Sequence, residues 1–142
     1  MDVARVFVYD AVPEEETDGD VETWLERNER EMDVEVRYGR LSARKRTGRQ
    51  QKAVDVQLAV DALSHAVNGV YDVAILVTGD ADFVPVVEAV RERGPLVCVC
   101  SFKDALSDEL ARRPDRVGYL PDDPSAYAAW QLPFVAEAGR GS

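Results

Sequence analysis

The stretch from Tyr71 to Phe102, YDVAILVTGDADFVPVVEAVRERGPLVCVCSF, constrains the fold of this chain more than any other. Residues 72–78 form a short apolar run of the kind a buried strand makes. Residues 83–93 are spaced as a helix, with Pro85 tolerated in the first turn and Gly94 at the end. From Pro95 onward, LVCVCSF (96–102) predicts another strand. Strand, helix, strand is the repeat that builds a parallel sheet.

The flanking sequence continues the alternation. ARVFVY (4–9), rich in Val and aromatics, predicts a first strand, and VEVRYGRL (34–41) alternates as a strand does. Between them, Asp20 is a good cap for a helix over about 21–32, where Val21, Trp24, Leu25 and Met32 recur at helical spacing. Residues 52–69 predict a long helix closed by Asn68–Gly69. A short helix over 107–113 and a last strand over 116–120 complete the series. The expectation is a three-layer α/β/α domain over 1–120 with a mostly parallel central sheet. A Pro/Ala-rich tail follows over 121–142, with Trp130 and Phe134 packing back.

With 142 residues and 46% hydrophobic content, one domain with a real core is expected. No apolar run approaches the roughly 18 residues of a membrane helix. MDVARVFVYDAV does not read as a signal peptide, so the expected compartment is the cytoplasm, with no membrane partner. Cys98 and Cys100 are expected as small buried hydrophobes in a reducing compartment, pointing to opposite faces of their strand and unable to bridge. The only histidine, His65, leaves no support for Ser-His-Asp, Cys-His or poly-His zinc chemistry.

Net charge is −10, yet only three of the 17 basic residues are lysines (Lys45, Lys52 and Lys103). An acidic surface with scarce lysine looks halophilic. The bases are unevenly placed. From Arg37 through Val54 there is no acid, while Arg37, Arg40, Arg44, Lys45, Arg46, Arg49 and Lys52 all fall in that window. A phosphate backbone could dock there, or the segment could be a solvated loop.

The chemistry centres on VTGDADF (77–83). It places Asp80 and Asp82 at the carboxyl end of a strand, the edge where open α/β sheets bind ligands. Two acids this close repel, and a bound cation relieves the repulsion. A D-x-D after a strand can also be only a turn and helix cap. Asp55 and Asp61 lie in the helix predicted over 52–69. Asp55, near the expected helix start, suits a site role because the field there favours negative charge. Asp61 reads equally as a water-facing residue or a structural hydrogen-bond acceptor.

QKAVDVQLAVDAL (51–63) followed by YDVAILVTGDADFVPVVEAVRERG (71–94) resembles the NYN family of PIN-like nucleases, in its LabA/DUF88-type form. That family shows K-x-V-D, then a strand ending S-G-D-x-D-F-x-P, then a helix ending in Gly. Thr78 replaces the usual Ser and keeps the hydroxyl. VFVYDAV (6–12) and VRYGRL (36–41) look like the family's second and third strands. The resemblance implies a PIN-like sheet with acids around Mg²⁺ or Mn²⁺ and, in many members, hydrolysis of RNA phosphodiesters. Carried over by motif, Asp55, Asp80 and Asp82 are the metal-site acids and Thr78 orients the site. Lys52 and, more loosely, Arg44, Lys45, Arg46 and Arg49 meet the RNA backbone.

The pattern departs at its start. Members open with a strand carrying a D-G-x-N motif, whereas here the chain begins at what looks like the second strand. Asp10 is a candidate substitute ligand, but Ala11, Val12 and Pro13 follow it. An upstream start, a domain that lost catalysis, or a homodimer or partner that completes the sheet would each account for this. The alternative function is therefore a non-catalytic RNA- or protein-binding module. A haloacid-dehalogenase-like site fits poorly, since Thr78–Gly79 intervene between strand and acid. A Toprim site would need an upstream strand ending in Glu.

Overall fold

The structure, a computed structural model, describes residues 5–10, 34–38 and 49–133. The helix expected over 21–32, the basic residues Arg44, Lys45 and Arg46, and Phe134 lie outside the described residues. The chain divides into two compact units, Met1–Asp61 and Ala62–Ser142.

In the first unit, strands β1 (Val6–Asp10) and β2 (Val34–Tyr38) pair in parallel, with Val6 opposite Val34 and Asp10 opposite Tyr38. Phe7 and Tyr9, two residues apart, share a face of β1 and bring their ring centroids to 6.4 Å. Helix α1 runs Arg49–Val67. The Tyr9 hydroxyl donates to Asp61 Oδ2 at 2.8 Å, and Gln57 Nε2 to Asp61 Oδ1 at 3.1 Å. Asp61 is thus the acceptor that ties α1 to β1, the structural role rather than the water-facing one. Arg49 and Lys52 lie on the first turns of α1.

α1 ends in the second unit with the expected stop signal. Gly69 adopts φ 65°, with Gly69 N donating to Ala66 O and Val70 N to His65 O. These two bonds are a Schellman cap, which needs the left-handed backbone that glycine adopts without a Cβ clash. The Tyr71 hydroxyl donates to the Ala62 carbonyl, and burial pushes its pKa up.

Strands β3 (Val73–Val77), β4 (Leu96–Ser101) and β5 (Arg116–Tyr119) form a parallel sheet in the order β3-β4-β5. Every described strand pair is parallel, as the alternation of strands and helices predicts. β4 is the central strand, and Val97, Cys98, Val99 and Cys100 are buried on both of its faces. β3, read from sequence as a buried strand, is half-buried instead. Among the described residues it lies at the edge of this sheet, with Ala74 and Leu76 inside and Ile75 and Val77 exposed.

A 3₁₀ turn, Ala81–Phe83, leads into helix α2 (Val84–Arg91), whose Val84, Val87 and Val90 are buried. That i, i+3 spacing makes one apolar stripe, which packs on β4. Pro85 sits in the first turn of α2, and Gly94 at φ 112° lies just past its end. Helix α3 (Asp108–Ala111) is one turn long, shorter than the expected 107–113, and delivers Leu110 fully buried into the core.

Asp115 fastens the amino end of this sheet. Its Oδ2 accepts the Val97 N–H at 2.8 Å, while Oδ1 accepts Arg91 Nη2 at 2.9 Å. The Val97 N–H and the Arg91 guanidinium hold its carboxyl below the usual range, outweighing the opposing effect of desolvation.

The two cysteines correct an expectation. Being two residues apart on a strand, Cys98 and Cys100 share a face, and their Sγ atoms lie 3.8 Å apart as free thiols. The hydrogen bond with Cys100, reinforced by burial, pushes the Cys98 thiol up. Room for Cys100 comes from Gly118 on β5, where a Cβ would stand 3.0 Å from its sulfur and 3.2 Å from Trp130 Cζ2. Trp130 Nε1 donates to the Tyr119 carbonyl at 2.7 Å, so the early tail packs back on β5. Among the described residues, no helix is long and apolar enough to cross a membrane.

Candidate functional site

β3 ends at Val77, and the chain then turns through Thr78, Gly79 and Asp80 into the 3₁₀ turn. Asp80 caps that turn in extended backbone geometry, its Oδ1 accepting the Asp82 N–H at 2.8 Å. The Thr78 hydroxyl accepts the Asp80 N–H at 3.3 Å. Phe83 is buried, and its N–H donates to the Asp80 carbonyl at 3.1 Å. The turn-and-cap reading is therefore true of one carboxylate oxygen. Asp80 Oδ2 and the Asp82 carboxylate have no hydrogen-bond partner among the described residues, and both side chains are exposed.

Gly79 explains why this turn has a defined shape. A Cβ there would collide with the Ala105 carbonyl oxygen and stand 2.9 Å from Ser101 Oγ. The Ser107 N–H donates to the Gly79 carbonyl at 2.9 Å, and Thr78 N–H to the Cys100 carbonyl at 3.1 Å. The loop after β4 is thus pressed onto the acid turn. Ser107 serves twice, since its Oγ also accepts the Leu110 N–H at 3.2 Å to cap α3. Sequence reading missed Ser101 and Ser107. Ser101 is a buried polar residue beside Gly79, and nothing but its place at the end of β4 marks it in sequence.

Asp55 lies in α1, in the first unit, and is half-buried. Its expected position needs correction. α1 begins at Arg49 rather than 52 and has no acid in its first turn, so the helix-terminus field does not reach Asp55. Asp10 is the last residue of β1. Among the described residues, no group of three or more His, Cys, Asp or Glu is gathered closely enough to hold a metal ion. The turn therefore brings together Thr78, Asp80 and Asp82.

That pair suits a hard cation. Mg²⁺ is commonly held by one or two carboxylates and keeps several waters or substrate oxygens in its shell. Asp80 Oδ2 and the Asp82 carboxylate supply oxygen ligands, and no soft or nitrogen donor stands in the turn.

The sequence profile of the NYN domain matches residues 1–121. An uncharacterized protein of Methanocaldococcus jannaschii is 39% identical over 64 residues, 45% of this chain. The match spans 27% of that relative's length. A Vibrio parahaemolyticus protein of unknown function has a crystal structure similar to this one, with a TM-score of 0.63 and 20% identity. The alignment covers 84% of this chain and 70% of that one, a likeness of fold alone. It agrees with the parallel α/β architecture. With the profile spanning most of its length, the chain belongs to the NYN domain family, within the PIN-like nuclease superfamily.

Proposed function

We propose that this chain is a metal-dependent ribonuclease of the NYN/PIN-like type that hydrolyses RNA phosphodiester bonds. The observation that carries this reading is the acid turn itself. Asp80 and Asp82 stand exposed after β3, with carboxylate oxygens unengaged, on a backbone that Gly79 and the 102–107 loop hold in place. A structural cap needs one of these acids, not both.

Asp80 and Asp82 would hold Mg²⁺ or Mn²⁺, with water or substrate oxygens completing the shell. When bound, such an ion makes hydroxide available at neutral pH and offsets charge on the phosphoryl oxygens, so no histidine is required. Thr78 holds the Asp80 backbone, and so sets where the Asp80 carboxylate stands. The cap from Asp82 N–H fixes Oδ1, which leaves Oδ2 as the ligand atom. Lys52, Arg44, Lys45, Arg46 and Arg49 would meet the RNA backbone by charge, independent of its sequence.

A second reading is a non-catalytic module that binds RNA or a protein. β3 favours it, because among the described residues it is an edge strand of its sheet, and the backbone groups of such an edge can pair with another strand. A second copy of the chain or a partner would complete the sheet.

Cleavage of labelled single-stranded RNA with Mn²⁺, comparing wild type with Asp80→Asn at low and high KCl, tests the first reading. Metal-dependent cleavage lost in the variant supports it. Binding without cleavage in any salt supports the second.

A further inference from the structure

The three strands of the second unit end side by side. Val77 is opposite Cys100, and Ser101 is opposite Tyr119. Just past β3, the Thr78 N–H donates to the Cys100 carbonyl at 3.1 Å, and Gly79 stands against Ser101 Oγ and the Ala105 carbonyl. The Ser107–Gly79 hydrogen bond and the contact of Ala105 with Gly79 hold the loop from Phe102 to Ser107 against the acid turn. This loop opens with an aromatic ring and a cation. Phe102 is 39% exposed, although Leu110 a few residues on is fully buried. Lys103 is exposed and, among the described residues, has neither an ion pair nor a hydrogen-bond partner.

An exposed ring beside an unpaired cation offers two of the contacts that single-stranded nucleic acid uses. Every base has a face that stacks on an aromatic ring, and a lysine meets phosphate as a point charge. We infer that Phe102 and Lys103 form a nucleotide subsite next to the acid turn, with Phe102 stacking on a base of single-stranded RNA and Lys103 meeting a neighbouring phosphate. The inference rests on the proposal that RNA is the substrate.

The test is fluorescence anisotropy of a labelled oligouridylate and of an equally long oligomer with abasic positions. Both are titrated with the full chain in Ca²⁺ over a series of KCl concentrations. Phe102→Ala is expected to weaken oligouridylate binding about tenfold and to leave the abasic oligomer unaffected. Phe102→Leu, which keeps an apolar side chain without an aromatic face, is expected to behave like Phe102→Ala and guards against a folding defect. Lys103→Ala is expected to weaken both oligomers and lower the salt slope by about one. The inference is overturned if wild type binds neither oligomer, if Phe102→Ala and Phe102→Leu bind as wild type does, or if both oligomers lose affinity equally in these two variants. Cleavage with Mn²⁺ is read in parallel. Binding with this pattern but no cleavage sinks the nuclease reading and keeps the subsite. Cleavage with unaltered binding in the Phe102 variants does the reverse.

Discussion

The Asp82 backbone N–H lies 2.8 Å from Asp80 Oδ1, so one of the two neighbouring acids shapes the turn that presents them both. Structure and chemistry are therefore separable at Asp80 by the choice of substitution. Asn keeps a side-chain oxygen that can accept the Asp82 N–H, while Ala removes it.

Asp80→Ala is accordingly expected to cost about 1 kcal/mol of stability, and Asp80→Asn a few tenths at most. Both should abolish Mn²⁺-dependent cleavage, since each removes the negative ligand. Urea unfolding of the two variants beside the cleavage assay checks this. Equal stability loss in both would show that the cap is not the source.

Gly79→Ala should be more damaging. The added Cβ meets a backbone carbonyl, which cannot rotate aside as a flexible side chain can. Overpacking of this kind typically costs about 1–3 kcal/mol. The expected result is a lower urea midpoint together with reduced activity, and an unchanged midpoint would mean the loop moves away freely.

Asp115 predicts part of the acid limb of stability. Its carboxyl titrates below the usual range in the folded chain, because the Val97 N–H and Arg91 favour the charged form. The unfolded chain then binds the proton first as pH falls, so the stabilisation is complete above the ordinary Asp pKa of about 3.9 and fades below it. Asp115→Asn should lower stability at pH 7 and flatten its decline between about pH 5 and the acid end of the transition. Parallel pH profiles of wild type and variant would show the opposite sign to be wrong.

Salt should matter beyond RNA binding. A chain of net charge −10 repels itself at low ionic strength, and the scarcity of lysine suits a high-salt setting. Refolding yield and thermal midpoint are both expected to rise with KCl. A flat response over molar KCl would count against the halophilic reading.

Legibility in sequence followed the reach of the signal. β3, α2 and β4 are readable because an apolar run gives way to Val84, Val87 and Val90 at helical spacing, and Gly94–Pro95 then breaks the chain. Asp80 and Asp82 are readable because they sit together in one short motif. The start of α1 at Arg49 is not, since Arg49, Gln50, Gln51 and Lys52 are polar and the apolar helical spacing begins only at Ala53. The edge position of β3 also escapes a single strand's composition, because neighbour order is a property of the whole sheet. Opposite faces for Cys98 and Cys100 was a misreading of strand periodicity, as alternate residues share a side. The docking of Trp130 depends on the missing side chain of Gly118, and the clamp on Gly79 depends on Ala105 and Ser107. Both join residues whose meeting no local pattern announces.

The contact of Gly79 with Ala105 has a consequence for how relatives of this chain can diverge or be recombined. The acid motif and the loop after β4 are not independent modules. A graft that transplants 77–83 into a related scaffold without 101–107 carries the ligands but leaves behind their support. Length changes in that loop should therefore be inherited together with changes at the glycine, as a single unit of variation.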